Sequence, residues 1–204
     1  MDWSIEITSY AEKILQIARK NNGIVTSKDV TDARILRAHI KILVVKGLLE
    51  KIDRGIYILP TNFIDEMFNL QNRFKRGIFS HETALFVHNL TDHTPIKFSM
   101  TFPLGYNTTH LKKENVIYIR VKKEYYDIGV VLAKSPNGNP IRVYNSERTL
   151  CDILRGRCNT DINIITYAFK RYTNLIQKDI PLLSEYAKIL HVEKKLQAYL
   201  DVLL

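Results

Sequence analysis

Arg34, Arg37 and Lys41 follow one another at spacings of three and four residues, with the small Ala38 among them. On a helix those spacings put all four on one face. Arginine can make two parallel bonds to a guanine edge, and lysine suits a phosphate. Lys51 and Arg54 flank a second feature, the tight-turn sequence Asp53-Arg54-Gly55. Ser27 and Lys28 stand at the start of a preceding short helical stretch. These residues form a candidate DNA-binding set. Arg34, Arg37, Ala38 and Lys41 would enter a major groove, Ser27 and Lys28 would hold phosphates, and Lys51 and Arg54 would hold the flank. A basic helix face can also be a plain solvated surface. What favours DNA is the order of the elements around it.

Those elements lie in residues 24–60. Thr26-Ser27 offers an N-cap ahead of Lys28-Asp29-Val30. Thr31-Asp32 is expected to break that short helix and to cap the next, over residues 33–46. There Leu36, Ile40, Leu43 and Val44 make one apolar stripe. Gly47 stands where a left-handed C-cap belongs. Two alternating runs follow, joined by the Asp53-Arg54-Gly55 turn, and predict a hairpin. Helix, turn, helix, hairpin is the order of a winged helix-turn-helix domain, whose second helix lies in the major groove. Ahead of it, residues 4–22 read as an amphipathic helix with Ile7, Tyr10, Ala11, Ile14, Leu15, Ile17 and Ala18 on its apolar side, stopped at Asn21-Asn22-Gly23.

The 204 residues carry 30 Lys and Arg against 21 Asp and Glu, a formal net charge of +9, with a sequence pI near 9.5. Residues 1–80 hold 13 basic and 9 acidic residues, and residues 81–204 hold 17 and 12. Both parts are therefore basic, which favours a polyanionic partner. No run of 18 apolar residues is present, and MDWSIEITS lacks the basic and apolar regions of a secretory signal. The two cysteines, Cys151 and Cys158, make no disulfide framework in a chain of this length. The expected location is the cytoplasm.

Beyond Pro60, Thr61 or Asn62 can cap a helix over residues 63–75, with Phe63, Met67, Leu70 and Phe74 on one side. It links two expected domains, 1–76 and 77–204. The second opens with a helix from His81 to His88 that Ser80 can cap. Four strands, IKFSMTF, NVIYIRV, GVVLAKS and PIRVYN, come next, the last two joined at Pro136-Asn137-Gly138-Asn139. Helices are expected from Ser146 and over residues 161–173, 180–190 and 193–203. The fold class is α+β.

The wing sequence Asp53-Arg54-Gly55-Ile56-Tyr57, arriving after Lys46-Gly47-Leu48-Leu49-Glu50-Lys51, resembles that of the AbiEi antitoxins. So do Phe79-Ser80-His81-Glu82-Thr83-Ala84-Leu85 and, after the strands, the run from Val143 to Asp152 that contains Asn145-Ser146-Glu147-Arg148-Thr149-Leu150. The resemblance implies an N-terminal winged helix-turn-helix and a C-terminal mixed α/β antitoxin domain. It also implies repression of the protein's own operon, and opposition to a co-encoded nucleotidyltransferase-like toxin without a need for direct binding. Many relatives carry a basic run after the strand-ending proline. Here that place reads Phe102-Pro103-Leu104-Gly105-Tyr106-Asn107, without the charge such a loop would bring to nucleic acid.

Other groupings favour structural roles. His81, His88 and His93 lack the cysteine pair or carboxylate that a metal site would want. Cys151 and Cys158 suit small buried positions. Glu147, Arg148 and Asp152 open a helix, where acidic residues suit the dipole; the functional alternative is a polar groove. Basic pairs interleaved with Tyr125, Tyr126, Tyr167 and Tyr172 suit single-stranded nucleic acid or an ordinary solvated surface. No glycine-rich phosphate loop or serine elbow occurs. No residue is assigned to catalysis and no cofactor is expected. The reading is a type IV antitoxin that binds double-stranded operator DNA as inverted repeats. The alternatives are an enzyme delivered to nucleic acid by a winged helix, and a ligand-responsive repressor.

Overall fold

Helix α1 (Trp3–Lys20) follows its apolar spacing: Ile14, Leu15 and Ala18 are buried, and Tyr10, Ala11 and Ile17 are half-buried against them. Asn22 and Gly23, both at positive φ, end it and turn the chain into β1 (Ile24–Thr26). Thr26 caps α2 (Ser27–Asp32) through a full capping box with Asp29. Helix α3 (Ala38–Val45) ends in a Schellman motif: Gly47, at φ +68°, donates to Val44 O, and Leu48 donates to Leu43 O. Strands β2 (Glu50–Asp53) and β3 (Ile56–Ile58) then form a hairpin around Gly55 (φ +76°). The three strands are antiparallel in the order β1-β3-β2, with Ile52 bulged out of register.

The computed structural model describes residues 3–156 and 160–203. It is α+β, with two sheets. The chain divides into two compact units, Met1–Leu70 with Pro136–Asn139, and Gln71–Ser135 with Pro140–Leu204.

One expected helix is shorter than its apolar pattern suggests. Residues 33–37 lie outside α3, and Thr31 and Asp32 belong to α2. The cause is a second Schellman motif, at the end of α2. Arg34 takes the left-handed position (φ +58°) and donates to Thr31 O, while Ile35 donates to Val30 O. Ile35 and Val30 meet in the core that also holds Val25, Ile40, Leu43 and Leu49. Leu36, expected in the apolar stripe, is instead 74 % exposed. A side chain in left-handed backbone costs roughly 1–2 kcal/mol, and no glycine or asparagine in the sequence signals it here.

Helix α4 (Glu66–Arg73) is likewise shorter than expected. Asp65, not Thr61 or Asn62, accepts from the amide of Phe68 at 3.0 Å, and Phe63 is exposed. In the second unit, β4 (Ile78–Phe79) leads into α5 (His81–Val87), followed by β5 (Phe98–Pro103), a 3-10 turn (Thr109–Lys113), β6 (Val116–Val121) and α6 (Lys123–Tyr126). The hairpin of β7 (Val130–Lys134) and β8 (Pro140–Tyr144) precedes α7 (Ser146–Leu154), α8 (Ile162–Thr173), α9 (Ile180–Ile189) and α10 (Glu193–Leu203). The sheet order is β6-β5-β4-β8-β7. Its centre is β4, two residues too short to be read from periodicity, antiparallel to β5 and parallel to β8. The four closing helices pack Leu150, Phe169, Tyr172, Leu183, Leu190 and Leu196 into one core.

Candidate nucleic-acid interface

The capping box sets the start of α2 and with it Ser27 and Lys28. The Ser27 amide donates to Gly55 O at 2.8 Å, so α2 lies against the hairpin turn. A Cβ on Gly55 would come within 3.2 Å of Ser27 Oγ, which favours glycine there over and above its positive φ. Arg54, the next residue back, is exposed, and its amide donates to Asp53 Oδ1 at 2.6 Å. Lys51 is exposed on β2, opposite Tyr57. The structure therefore brings Ser27 to the hairpin turn beside Arg54.

Lys28 is held by Asp32 at 2.7 Å, and that hydrogen bond and charge raise its pKa above the usual lysine value. A phosphate at Lys28 would have to compete with this carboxylate. Arg37 is the N-cap residue of α3. Its Nε donates to Thr31 Oγ1 at 2.9 Å, and Thr31 Oγ1 donates to Ser27 O at 2.8 Å. The chain of bonds orients one edge of the guanidinium and leaves Nη1 and Nη2 outside it. Ala38 and Lys41 are exposed one turn apart on α3. Arg34 is exposed too, but on the turn ahead of the helix. The expected single helix face is thus split between a turn (Arg34, Arg37) and a helix (Ala38, Lys41).

Two features escaped the sequence reading. Leu36 is an exposed apolar residue within this basic face. Lys13 and Lys20 line an open cleft of about 290 Å³ with Gln16, Ile17, Ala33 and Ile35, alongside the turn that carries Arg34. Lys13 and Lys20 are seven apart on α1, a spacing that put them on one face, but nothing local tied that face to the turn.

The polar cluster Glu147, Arg148 and Asp152 of the second unit is buried. Arg148 is fully buried; Nε donates to Asp152 at 3.0 Å and Nη1 to Tyr125 O at 2.6 Å, and its guanidinium lies over the Tyr144 ring. Glu147 accepts from the hydroxyl of Tyr172 at 2.8 Å. These contacts tie α7 to its neighbours and favour the structural reading over a polar groove. Desolvation raises the pKa of Tyr144 and Tyr172 and pushes the Cys151 thiol up to about 12. Cys158 lies outside the described residues. His88 Nε2 sits 2.7 Å from Tyr144 O, so that nitrogen carries the proton; burial lowers its pKa. Among the described residues no group of three or more His, Cys, Asp or Glu is placed to hold a metal ion. A cleft of about 440 Å³ is lined by Glu82, His93, Lys97, Ile96, Ile117 and Ile164, with Thr91, Thr94 and Pro95. No helix among the described residues is long and apolar enough to cross a membrane.

Comparison with known proteins bears on the same N-terminal segment. Residues 12–60 match the family of AbiEi antitoxin transcriptional regulators. The match ends ahead of β4, so the second unit lies outside it. No curated protein sequence matches the chain. The fold is similar to the crystal structure of the RV2827C protein from Mycobacterium tuberculosis, with a TM-score of 0.55 and 14% identity. That match covers 88% of this chain and 71% of that one.

Proposed function

We propose that this chain is a cytoplasmic antitoxin that represses its own operon by sequence-specific DNA binding and counters a co-encoded nucleotidyltransferase-like toxin. The N-terminal part, about residues 1–76, acts as a winged helix-turn-helix, and residues 77–204 as the antitoxin domain. The carrying observation is the order α1-β1-α2-α3-β2-β3 with exposed Arg34, Arg37 and Lys41 on the turn and α3, and exposed Lys51 and Arg54 on the hairpin. Arg37 and Arg34 read base edges, with Ala38 small enough to let the helix approach. Lys41, Ser27 and Lys28 hold phosphates, and Lys51 and Arg54 hold the flank. One such module spans few base pairs, so two copies on inverted half-sites supply the specificity. The 440 Å³ cleft favours a second reading, a repressor that answers to a small ligand.

DNA from upstream of the protein's own gene is the test substrate, titrated against scrambled DNA over a range of salt. The expected result is preference for the upstream DNA. Neutralising Lys51 and Arg54 together should lower affinity and flatten the log–log salt slope by about 1.8, two phosphates' worth. Equal affinity for both DNAs refutes sequence-specific binding, and an unchanged slope takes the hairpin off the DNA. Co-expression with the neighbouring toxin gene tests the antitoxin role by rescue of growth.

A further inference from the structure

Leu36 is 74 % exposed, whereas its neighbour Ile35 is buried. The left-handed backbone at Arg34 produces that outcome: it turns Ile35 into the core and Leu36 out into solvent. Conformations of this kind in residues other than glycine persist where the surrounding structure imposes them, and they gather at functional positions. Leu36 is thus a branched apolar side chain flanked by exposed Arg34, Arg37 and Ala38, immediately ahead of α3.

An apolar side chain gains nothing from phosphates. In the major groove the apolar feature on offer is the C5-methyl group of thymine, which distinguishes it from the other bases. Reading helices meet base edges with their N-terminal residues, and Leu36 stands one residue before the α3 N-cap. We propose that Leu36 packs on a thymine methyl in each operator half-site, next to the base pair contacted by Arg37. This rests on the DNA-binding reading above and assigns a specificity-determining residue to it. Cations on either side anchor the backbone and an edge, and the leucine between them tells thymine from cytosine.

The test removes the methyl alone. In the upstream DNA, deoxyuridine replaces each thymine in turn, and full-length protein is titrated at one fixed salt. With wild type, one position per half-site should lose roughly fourfold in affinity, the worth of one buried methyl-sized group. With Leu36→Ala, thymine and uracil DNA at that position should bind alike, and about as weakly as wild type on uracil. Because Leu36 is exposed, the variant keeps its fold, as circular dichroism will check. Preference for upstream DNA with no methyl-sensitive position, or a methyl effect that persists in Leu36→Ala, overturns this assignment and leaves the DNA-binding reading standing. Loss of any preference in wild type sinks both.

Discussion

Arg37 and Arg148 are the same residue type put to opposite use. Arg37 is exposed and makes one side-chain hydrogen bond, to Thr31, on the surface of the N-terminal unit. Arg148 is fully buried in the second unit, bonded to Asp152, Tyr125 O and, at 3.4 Å, Ile128 O. The exposed charge keeps its hydration, adds little to stability and stays open to a polyanion, with a strength that salt tunes. The buried one has lost its water, so its partners matter more than its charge. It locks the strand-to-helix connections together and does not reach the surface. A count of basic residues cannot separate these roles.

The largest expected effect tests the buried side. Arg148→Ala leaves Asp152 in the interior without its main partner and should cost about 3–5 kcal/mol of stability in the second unit. Arg155, 3.9 Å from the same carboxylate, offsets part of this. Chemical denaturation measures it. The double change Arg148→Met with Asp152→Leu should recover most of the loss, since replacing a whole buried pair is often neutral. A double mutant no better than the single would mean that the backbone bonds of Arg148, not the ion pair, hold the unit.

On the exposed side, Arg37→Ala should weaken operator binding by about 1–3 kcal/mol and relax sequence preference. Its folding stability should stay within about 0.5 kcal/mol of wild type. A variant that unfolds early, or binds operator as before, would erase the contrast with Arg148.

Thr26→Ala sits between the two cases, because it removes the cap that orders α2. It should cost about 1 kcal/mol of stability and reduce DNA affinity through Ser27 and Lys28. Unchanged melting would show that the Gly55 contact, rather than the cap, holds α2.

The smallest effect is in pH. His88 is neutral inside the second unit, and its pKa is lowered below 6.5, chiefly by burial. The unfolded chain therefore binds this proton first. The contribution of His88 is fully present above pH 6.5 and is lost as pH falls below it toward the folded pKa. Denaturation at pH 7.5 and 5.5 should show a drop in wild type and a smaller one in His88→Gln. An equal drop in both would move the pH sensitivity to other groups.

Much of the molecule is legible from short-range sequence. Thr26 ahead of Lys28-Asp29-Val30, Gly47 after Val45, and Asp53-Arg54-Gly55 each mark an end or a turn through neighbours within four residues, and each does so in the structure. The strands after Ile96 and the closing helices follow from β-branched runs, turn residues and a 3.6-residue period. The family resemblance holds over residues 12–60. Other features depend on partners distant in the chain. Strand β4 has two residues and exists because β5 and β8 flank it. Arg148 and Arg37 look alike in sequence, and burial between α7, Tyr125 and Tyr144 separates them. At Arg34 the local pattern pointed to the first turn of a second helix. The core's demand for Ile35 beside Val30 outweighed it, because burying an isoleucine gains about 1.5–3 kcal/mol, while one left-handed residue costs roughly 1–2 kcal/mol. That exchange, settled by tertiary packing, is what takes Leu36 out of the core and sets it among the arginines.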